Sequence, residues 1–314
     1  MSLARTTQAA PALETPAFEL AAEGRPARLA QLLGDYIELT KPKVQSLLLL
    51  TTVSTMYVAG DPSPLLVLLT CLGGYLSAGG AAAVNHVLDR DIDARMKRTA
   101  ARPIPAGRVS PRAGLTFGLI LACMSLLELS LAVNPLAAAL SFAGFLGYVV
   151  LYTAVLKRRT AQNIVIGGAA GAVPPLVGWA AARGSVGGTA VILFFIVFFW
   201  TPPHFWALSL LMKSDYERVG VPMLPVVRGE AETRRQILLY SVLLYAVTQL
   251  PFCAGGFGAV YLGCSLVLGV GFIAAAARLY RRADRASALR LYLFSLLYLA
   301  LLFAAMAADA QLHL

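Results

Sequence analysis

Apolar runs of 17 to 25 residues, nearly free of charge, recur from one end of this sequence to the other. Each is long enough to cross a hydrocarbon layer of about 30 Å as a helix. Alternation of apolar and polar residues at strand period is absent, which argues against a barrel. Nine spans are expected, near 44–60, 64–84, 114–133, 135–156, 163–182, 188–212, 237–253, 257–277 and 290–308. Composition agrees: 58% of residues are apolar and 13% charged, against roughly 25% charged in a soluble domain.

The basic residues sort these spans by side. Arg5, Arg25, Arg28, Lys41 and Lys43 precede the first span, and seven more lie at 85–113, three at 157–162, five at 213–236 and five at 278–290. With nine spans, 25 of the 26 Lys and Arg fall on one side and only Arg183 on the other. An error of one span would scramble this segregation. The positive-inside rule makes the crowded side cytoplasmic, with the N-terminus inside and the C-terminus outside, as in a multi-pass protein of the bacterial cytoplasmic (inner) membrane. Orientation and attraction to anionic membrane lipid account for the net charge of +10, so no nucleic-acid partner is expected.

Residues 1–40 are polar and rich in Ala and Pro, and carry Glu14, Glu19 and Glu23. They have no signal-peptide core, and are expected to be a disordered cytoplasmic tail before a single transmembrane domain at 41–314. Cys71, Cys123, Cys253 and Cys264 stand singly in apolar spans with no CxxC spacing, and are expected to be buried and inert.

The connections at 61–63, 134 and 183–187 are too short to build a site. Chemistry therefore belongs to the long loops at 85–113 and 213–236, each after an even-numbered span. That placement gives the expected architecture: an all-α membrane protein, as two four-helix halves plus one, around a central cavity open to the cytoplasmic side.

The first loop opens with Asn85, Asp89 and Asp93 at i, i+4 and i+8. On one helix these share a face and span about 12 Å, while Asp91 points elsewhere. An amide and two carboxylates are oxygen donors, suited to Mg²⁺, which keeps waters and completes its shell with substrate phosphate. Arg98 and Arg102 follow, with Pro103 and Pro105 fixing the loop; guanidinium suits bidentate contact with phosphate.

Asn85-xxx-Asp89-xxx-Asp93, followed by Arg98-Thr99-xx-Arg102-Pro103, resembles the first aspartate-rich motif of the intramembrane aromatic prenyltransferases, the superfamily of 4-hydroxybenzoate polyprenyltransferase. Thr40-Lys41-Pro42-Lys43, Thr201-Pro-Pro-His204-Phe205-Trp206 and Asp215-Tyr216-xxx-Gly220-xx-Met223-Leu224-Pro225 are similar to its haem-farnesylating branch. The superfamily's second series of spaced aspartates shrinks here to Lys213-Ser-Asp215-Tyr216. Asp215 then either holds a second metal or orients Lys213 or an arginine.

The resemblance implies Mg²⁺-dependent transfer of a farnesyl group from farnesyl diphosphate to a vinyl group of haem b, giving haem O. It also implies a haem A synthase or a terminal-oxidase assembly factor as partner. Asn85, Asp89 and Asp93 would hold the metal. Lys41, Arg98, Arg102, Lys213 and Tyr216 would bind substrate, and Asp89, Asp93 and Asp215 would act in catalysis.

Other residues carry two readings each. Lys157 is an orientation signal or a grip on diphosphate, and Tyr148 and Tyr152 are interfacial aromatics or cation-stabilising faces. Asn163 begins the fifth span and reaches toward the site mouth. His204, after two prolines expected to break the sixth span, is a haem-iron ligand or a hydrogen-bonder in the substrate pocket. His86 is expected to be an interfacial donor, His313 is uninformative, and Glu128 has no assigned role. The glycines at 167, 168 and 171 lie inside a span, where close helix packing outweighs a phosphate loop. An aromatic or chlorin acceptor would call for the fuller second aspartate series. A transporter of haem or an organic anion would place its polar residues near the midplane rather than at one membrane face.

Overall fold

Helix is the only regular structure among the described residues, because a helix pairs its own backbone N–H and C=O groups where no water can. These residues are 17–312, with side chains described from residue 28, in a computed structural model. The first half comprises α1 (Ala17–Leu39), α2 (Pro42–Ala59), α3 (Pro64–Leu88), the short α4 (Arg90–Arg95), α5 (Pro111–Glu128), α6 (Pro135–Leu146), α7 (Asn163–Gly171) and α8 (Val173–Arg183). The second comprises α9 (Gly188–Leu211), the short α10 (Lys213–Val219) and α11 (Leu224–Val227), α12 (Gly229–Cys253), α13 (Ala259–Arg282) and α14 (Arg285–Leu312). Helices α5 and α6 continue as π-helix over Leu129–Val133 and Gly147–Leu156.

Several starts are written locally. Ser63, Ser110 and Asn134 each accept a backbone N–H three residues on, and each is followed by Pro at the first helical position. Such caps satisfy donors that the helix leaves open, and proline lacks the N–H that would be orphaned there.

Eight helical stretches among the described residues are long and apolar enough to cross a membrane. They match eight of the nine expected spans. The first, expected at 44–60, is α2, which holds 18 residues with Lys43, Gln45, Thr51, Thr52, Ser54 and Thr55 among them and falls outside that set.

Small residues let the helices close on one another. A Cβ on Gly80 would stand 2.6 Å from Gly118 O, and one on Gly178 would stand 2.3 Å from Thr52 O. Backbone is thus in contact with backbone where α3 meets α5 and α2 meets α8, the close approach that membrane helices use in place of a hydrophobic driving force. At the opposite end from the long loops, Arg183 donates to Ala59 O, while Gln311 donates to Tyr57 O (3.0 Å) and Gly60 O (3.3 Å). This ties the end of α2 to α8 and α14. Asp309 of α14 accepts the N–H groups of Gly258 (2.5 Å) and Tyr261 (3.1 Å), so a buried carboxylate caps α13.

The structure differs from the sequence expectations in several places. Helix α1 occupies 17–39, a stretch expected to be tail, and its Asp35 is buried against Arg108 at 2.8 Å. Residues 1–16 and His313 lie outside the described residues. The span at 163–182 is two helices that meet at Ala172, ahead of Pro174 and Pro175. Conversely, Pro202 and Pro203 do not break α9, which runs through them. None of the four cysteines is buried: Cys71 and Cys264 are half-buried and Cys123 and Cys253 exposed, all as free thiols, because they sit on outward faces of their helices.

Candidate active site

The first loop's polar row is buried and already paired. Helix α3 ends at Leu88 and α4 begins at Arg90, so Asp89 stands at a junction with φ −91° and ψ 4° rather than within one continuous helix. The spacing survives the junction, because Asp89 N–H donates to Asn85 O (2.9 Å) and Asp93 N–H donates to Asp89 O (2.8 Å). Asn85, Asp89 and Asp93 are 3%, 1% and 3% exposed, a degree of burial that carboxylates tolerate only with partners.

Those partners are basic. Lys41 Nζ donates to Asn85 Oδ1 (2.7 Å), and Asn85 Nδ2 donates to Asp89 Oδ2 (2.7 Å) and Thr153 Oγ1 (3.1 Å). Lys157 Nζ reaches Asp89 Oδ2 at 2.5 Å, and Arg102 Nη1 reaches Asp93 Oδ2 at 2.6 Å. Thr99 Oγ1 donates to Asp93 O (2.9 Å), which folds the loop back over the row. Three cations thus face two carboxylates, a surplus of positive charge that favours an anion. Burial, then the charges of Arg102 and Lys157, push the Lys41 ammonium down to about 7, against the pull of Asp89 and Asp93.

Asp91 is turned out, as the helical arc requires. It is exposed and held in a fork by Arg158, at 2.8 Å and 2.6 Å, whose hydrogen bonds lower its carboxyl to about 2. Arg158 also donates to Leu88 O (2.8 Å) and lies 3.9 Å from Asp89 Oδ1.

The second loop folds onto the first through α10, which packs against α4. Gly220, with φ 71°, ends α10 in the left-handed conformation that glycine adopts without a Cβ clash. Tyr216 comes within electrostatic range of Lys157, Arg98, Asp89 and Arg102, and burial raises its hydroxyl above the ordinary value. Asp215 pairs with Arg218 at 3.6 Å, whereas Lys213 pairs with Glu230 (3.2 Å) and Glu217 (3.5 Å). Of the two basic partners expected for Asp215, the arginine is the one it contacts.

Tyr148 and Tyr152 stack at 5.5 Å between centroids on the π-helical stretch before Lys157. The tyrosines, four apart, share a face in any helix, whereas the wider π turn, with Lys157 N–H donating to Tyr152 O, also brings Lys157 round toward that side. A Cβ on Gly167 would lie 2.4 Å from the Tyr152 ring, so this glycine makes room for it. Asn163 is fully buried, and neither its Oδ1 nor its Nδ2 has a hydrogen-bond partner. His86 is likewise buried with both ring nitrogens unpartnered, and is no interfacial donor. Glu128 has both carboxylate oxygens unpartnered beside Gly73.

His204 stands apart from this cluster. It stacks with Trp200 (4.3 Å, 17°) and Tyr292 (4.9 Å, 26°), and its Nδ1 is 2.7 Å from Ser295 Oγ. Sequence reasoning missed Thr153, Tyr292 and Ser295. A threonine four residues before Lys157 was a signal for the first, while the other two have none, because their partners lie on a distant helix.

The oxygen row fits a hard divalent cation. Asp89 Oδ1 is buried without a hydrogen bond, and the three donors are a turn apart. Among the described residues no three His, Cys, Asp or Glu side chains converge on one point. Magnesium commonly takes only one or two carboxylates and fills its shell with water and phosphate.

Residues 47–304 match the model of the UbiA prenyltransferase family. The chain belongs to the UbiA prenyltransferase family. It is 53% identical over 280 residues to a protoheme IX farnesyltransferase of Chloroflexus aurantiacus, covering 88% of this chain and 48% of that protein. It therefore spans about half the length of several curated relatives it matches. The protoheme IX farnesyltransferase of Symbiobacterium thermophilum is 54% identical over 89% of this chain and 95% of its own length. The UbiA fold also appears in a structure of digeranylgeranylglyceryl phosphate synthase, with TM-score 0.74 and 21% identity over 89% of this chain and 99% of that one. A UbiA homologue from Archaeoglobus fulgidus, solved bound to GPP and Mg²⁺, has TM-score 0.65 and 16% identity over 87% and 99%.

Proposed function

We propose that this chain transfers a farnesyl group from farnesyl diphosphate to a vinyl group of haem b, giving haem O. The observation that carries the reading is the buried cluster of Lys41, Asn85, Asp89, Asp93, Arg102 and Lys157, with three cations to two carboxylates. The names of relatives at 53% and 54% identity support the acceptor. A fold shared with a homologue that binds GPP and Mg²⁺ supports the donor and the metal.

Asn85, Asp89 and Asp93 would hold Mg²⁺, which neutralises diphosphate charge and improves it as a leaving group. The chain's own residues do the rest. Lys41, Arg102 and Lys157 exchange carboxylate and amide partners for diphosphate oxygens, with Arg98 and Tyr216 approaching from the rim and the second loop. Carbon–oxygen cleavage places the electron pair on the departing diphosphate and leaves an allylic cation. The stacked faces of Tyr148 and Tyr152 stabilise that cation. The vinyl group attacks it, water adds to the new cation, and one proton is released. His204 holds the haem. Asp215, through Arg218, shapes the diphosphate rim, and Asn163, buried with both amide atoms unpartnered, binds substrate at the site mouth. In the membrane α2 crosses as a ninth span, with the long loops cytoplasmic and the C-terminus outside.

The test is incubation of purified protein with haem b, farnesyl diphosphate and Mg²⁺, followed by the mass of the porphyrin. The product should be heavier by one farnesyl group plus one hydroxyl, and excess chelator should abolish its formation. An unchanged porphyrin, with 4-hydroxybenzoate prenylated in parallel, would overturn the acceptor and keep the transferase.

A further inference from the structure

His204 and Ser295 form a buried pair, 91 residues apart in sequence, whose proton can be placed by elimination. Ser295 Oγ lies 2.6 Å from Tyr292 O on its own helix and 2.7 Å from His204 Nδ1. A serine hydroxyl has one hydrogen to donate and lone pairs with which to accept. Two oxygens at 2.6 Å with no hydrogen between them repel, so that hydrogen lies toward Tyr292 O. Ser295 Oγ then has only lone pairs left for the imidazole. Nδ1 must carry the ring proton and donate it to Oγ.

Neutral imidazole has one N–H, so Nε2 keeps its lone pair. Among the described residues Nε2 makes no hydrogen bond, and it is not one of the polar atoms sealed in without a partner. The ring is also fixed in orientation. It stacks with Trp200 and Tyr292, and Trp200 Nε1 donates to Ser295 O at 2.8 Å, so the same serine anchors both rings. A metal-binding histidine is normally built this way, with the nitrogen away from the metal donating to a fixed acceptor.

We propose that Ser295 is a positioning residue that holds His204 in its Nδ1–H tautomer, so that Nε2 can bind the iron of a metalloporphyrin. The iron-binding part rests on the haem reading above; the tautomer does not.

The test has two arms. In the first, ¹⁵N-histidine-labelled protein in detergent, without haem, is examined by long-range ¹H–¹⁵N correlation. The chain has only three histidines, so His204→Gln identifies the His204 signals. The wild type should show a protonated Nδ1 and bare Nε2, Ser295→Ala should lose that preference, and Ser295→Thr should keep it. An Nε2–H ring in the wild type, or an unchanged ring in Ser295→Ala, would overturn the proposal. In the second arm, ferric haem is titrated into the same proteins. The Soret band of bound haem should shift in Ser295→Ala and shift further in His204→Gln. Wild-type spectra in both variants, with farnesyl transfer intact, would remove the iron ligation and leave the proposed function standing. Absence of any haem farnesylation beside the expected tautomer would instead remove the function and leave the positioning.

Discussion

At the scale of single residues, the aspartates of the first loop differ by what holds them. Asp89 and Asp93 are buried on Lys157 and Arg102, whereas Asp91 is exposed on Arg158. Asp89→Ala and Asp93→Ala should each lower turnover by about 10²-fold or more, the scale of removing one electrostatic stabiliser. Asp91→Ala loses only an exposed ion pair, worth about 1 kcal/mol or less, and should stay within about tenfold. Steady-state rates of the three variants, with folding checked by size exclusion, decide this; equal losses would sink the assignment of one working face. Lys41 gives a pH signature. A lysine depressed to about 7 is charged below that pH and neutral above it. An arriving diphosphate favours the charged form, so binding above pH 7 takes up a proton. Affinity for farnesyl diphosphate should fall between about pH 7.5 and about pH 9, by up to about tenfold per unit. Lys41→Arg, always protonated, should flatten the profile; calorimetric titration of both proteins would show it, and parallel profiles would exclude Lys41 as the titrating group.

At the scale of elements, the site depends on how closely α7 approaches the π-helical stretch. Gly167 faces the Tyr152 ring, with no room for a methyl group, while Gly171 on the same helix meets nothing within 4 Å. Gly167→Ala should therefore displace Tyr152 or α7 and destabilise the protein by about 1–3 kcal/mol, with a loss of activity. Gly171→Ala should be neutral or stabilising by up to about 1 kcal/mol, since alanine is the better helix former. Thermal denaturation in detergent compares them, and equal shifts would refute the close-contact argument. The sequence identified this glycine run as packing rather than phosphate binding. It could not say that the packing partner is a site tyrosine, because that contact depends on the π-helical register.

At the scale of the whole molecule, charge segregation and the crossing of α2 stand together. A single cysteine introduced at Arg28, exposed on α1 ahead of α2, in a cysteine-free background, should react with a membrane-impermeant maleimide only from the cytoplasmic side. One introduced at Gln311 should react only from outside. Labelling of both from the same side would mean an even number of crossings and remove α2 from the span count.

Length and apolarity by themselves marked nine spans, eight of which are helices long and apolar enough to cross a membrane, since hydrocarbon imposes the same requirement on every stretch that enters it. The residues at 85, 89 and 93 were legible for the same reason: polar side chains closing an apolar span stand out, and their spacing survives a change of helix at Asp89. What only the tertiary structure decided are the partners. The sequence does not say that Lys41 and Lys157 converge on Asn85 and Asp89, or that Ser295 meets the ring of His204. Nor does it show that Pro202 and Pro203 stay within a continuous helix. Those side-chain contacts are made between separate helices, and local periodicity carries no information about which helix lies beside which.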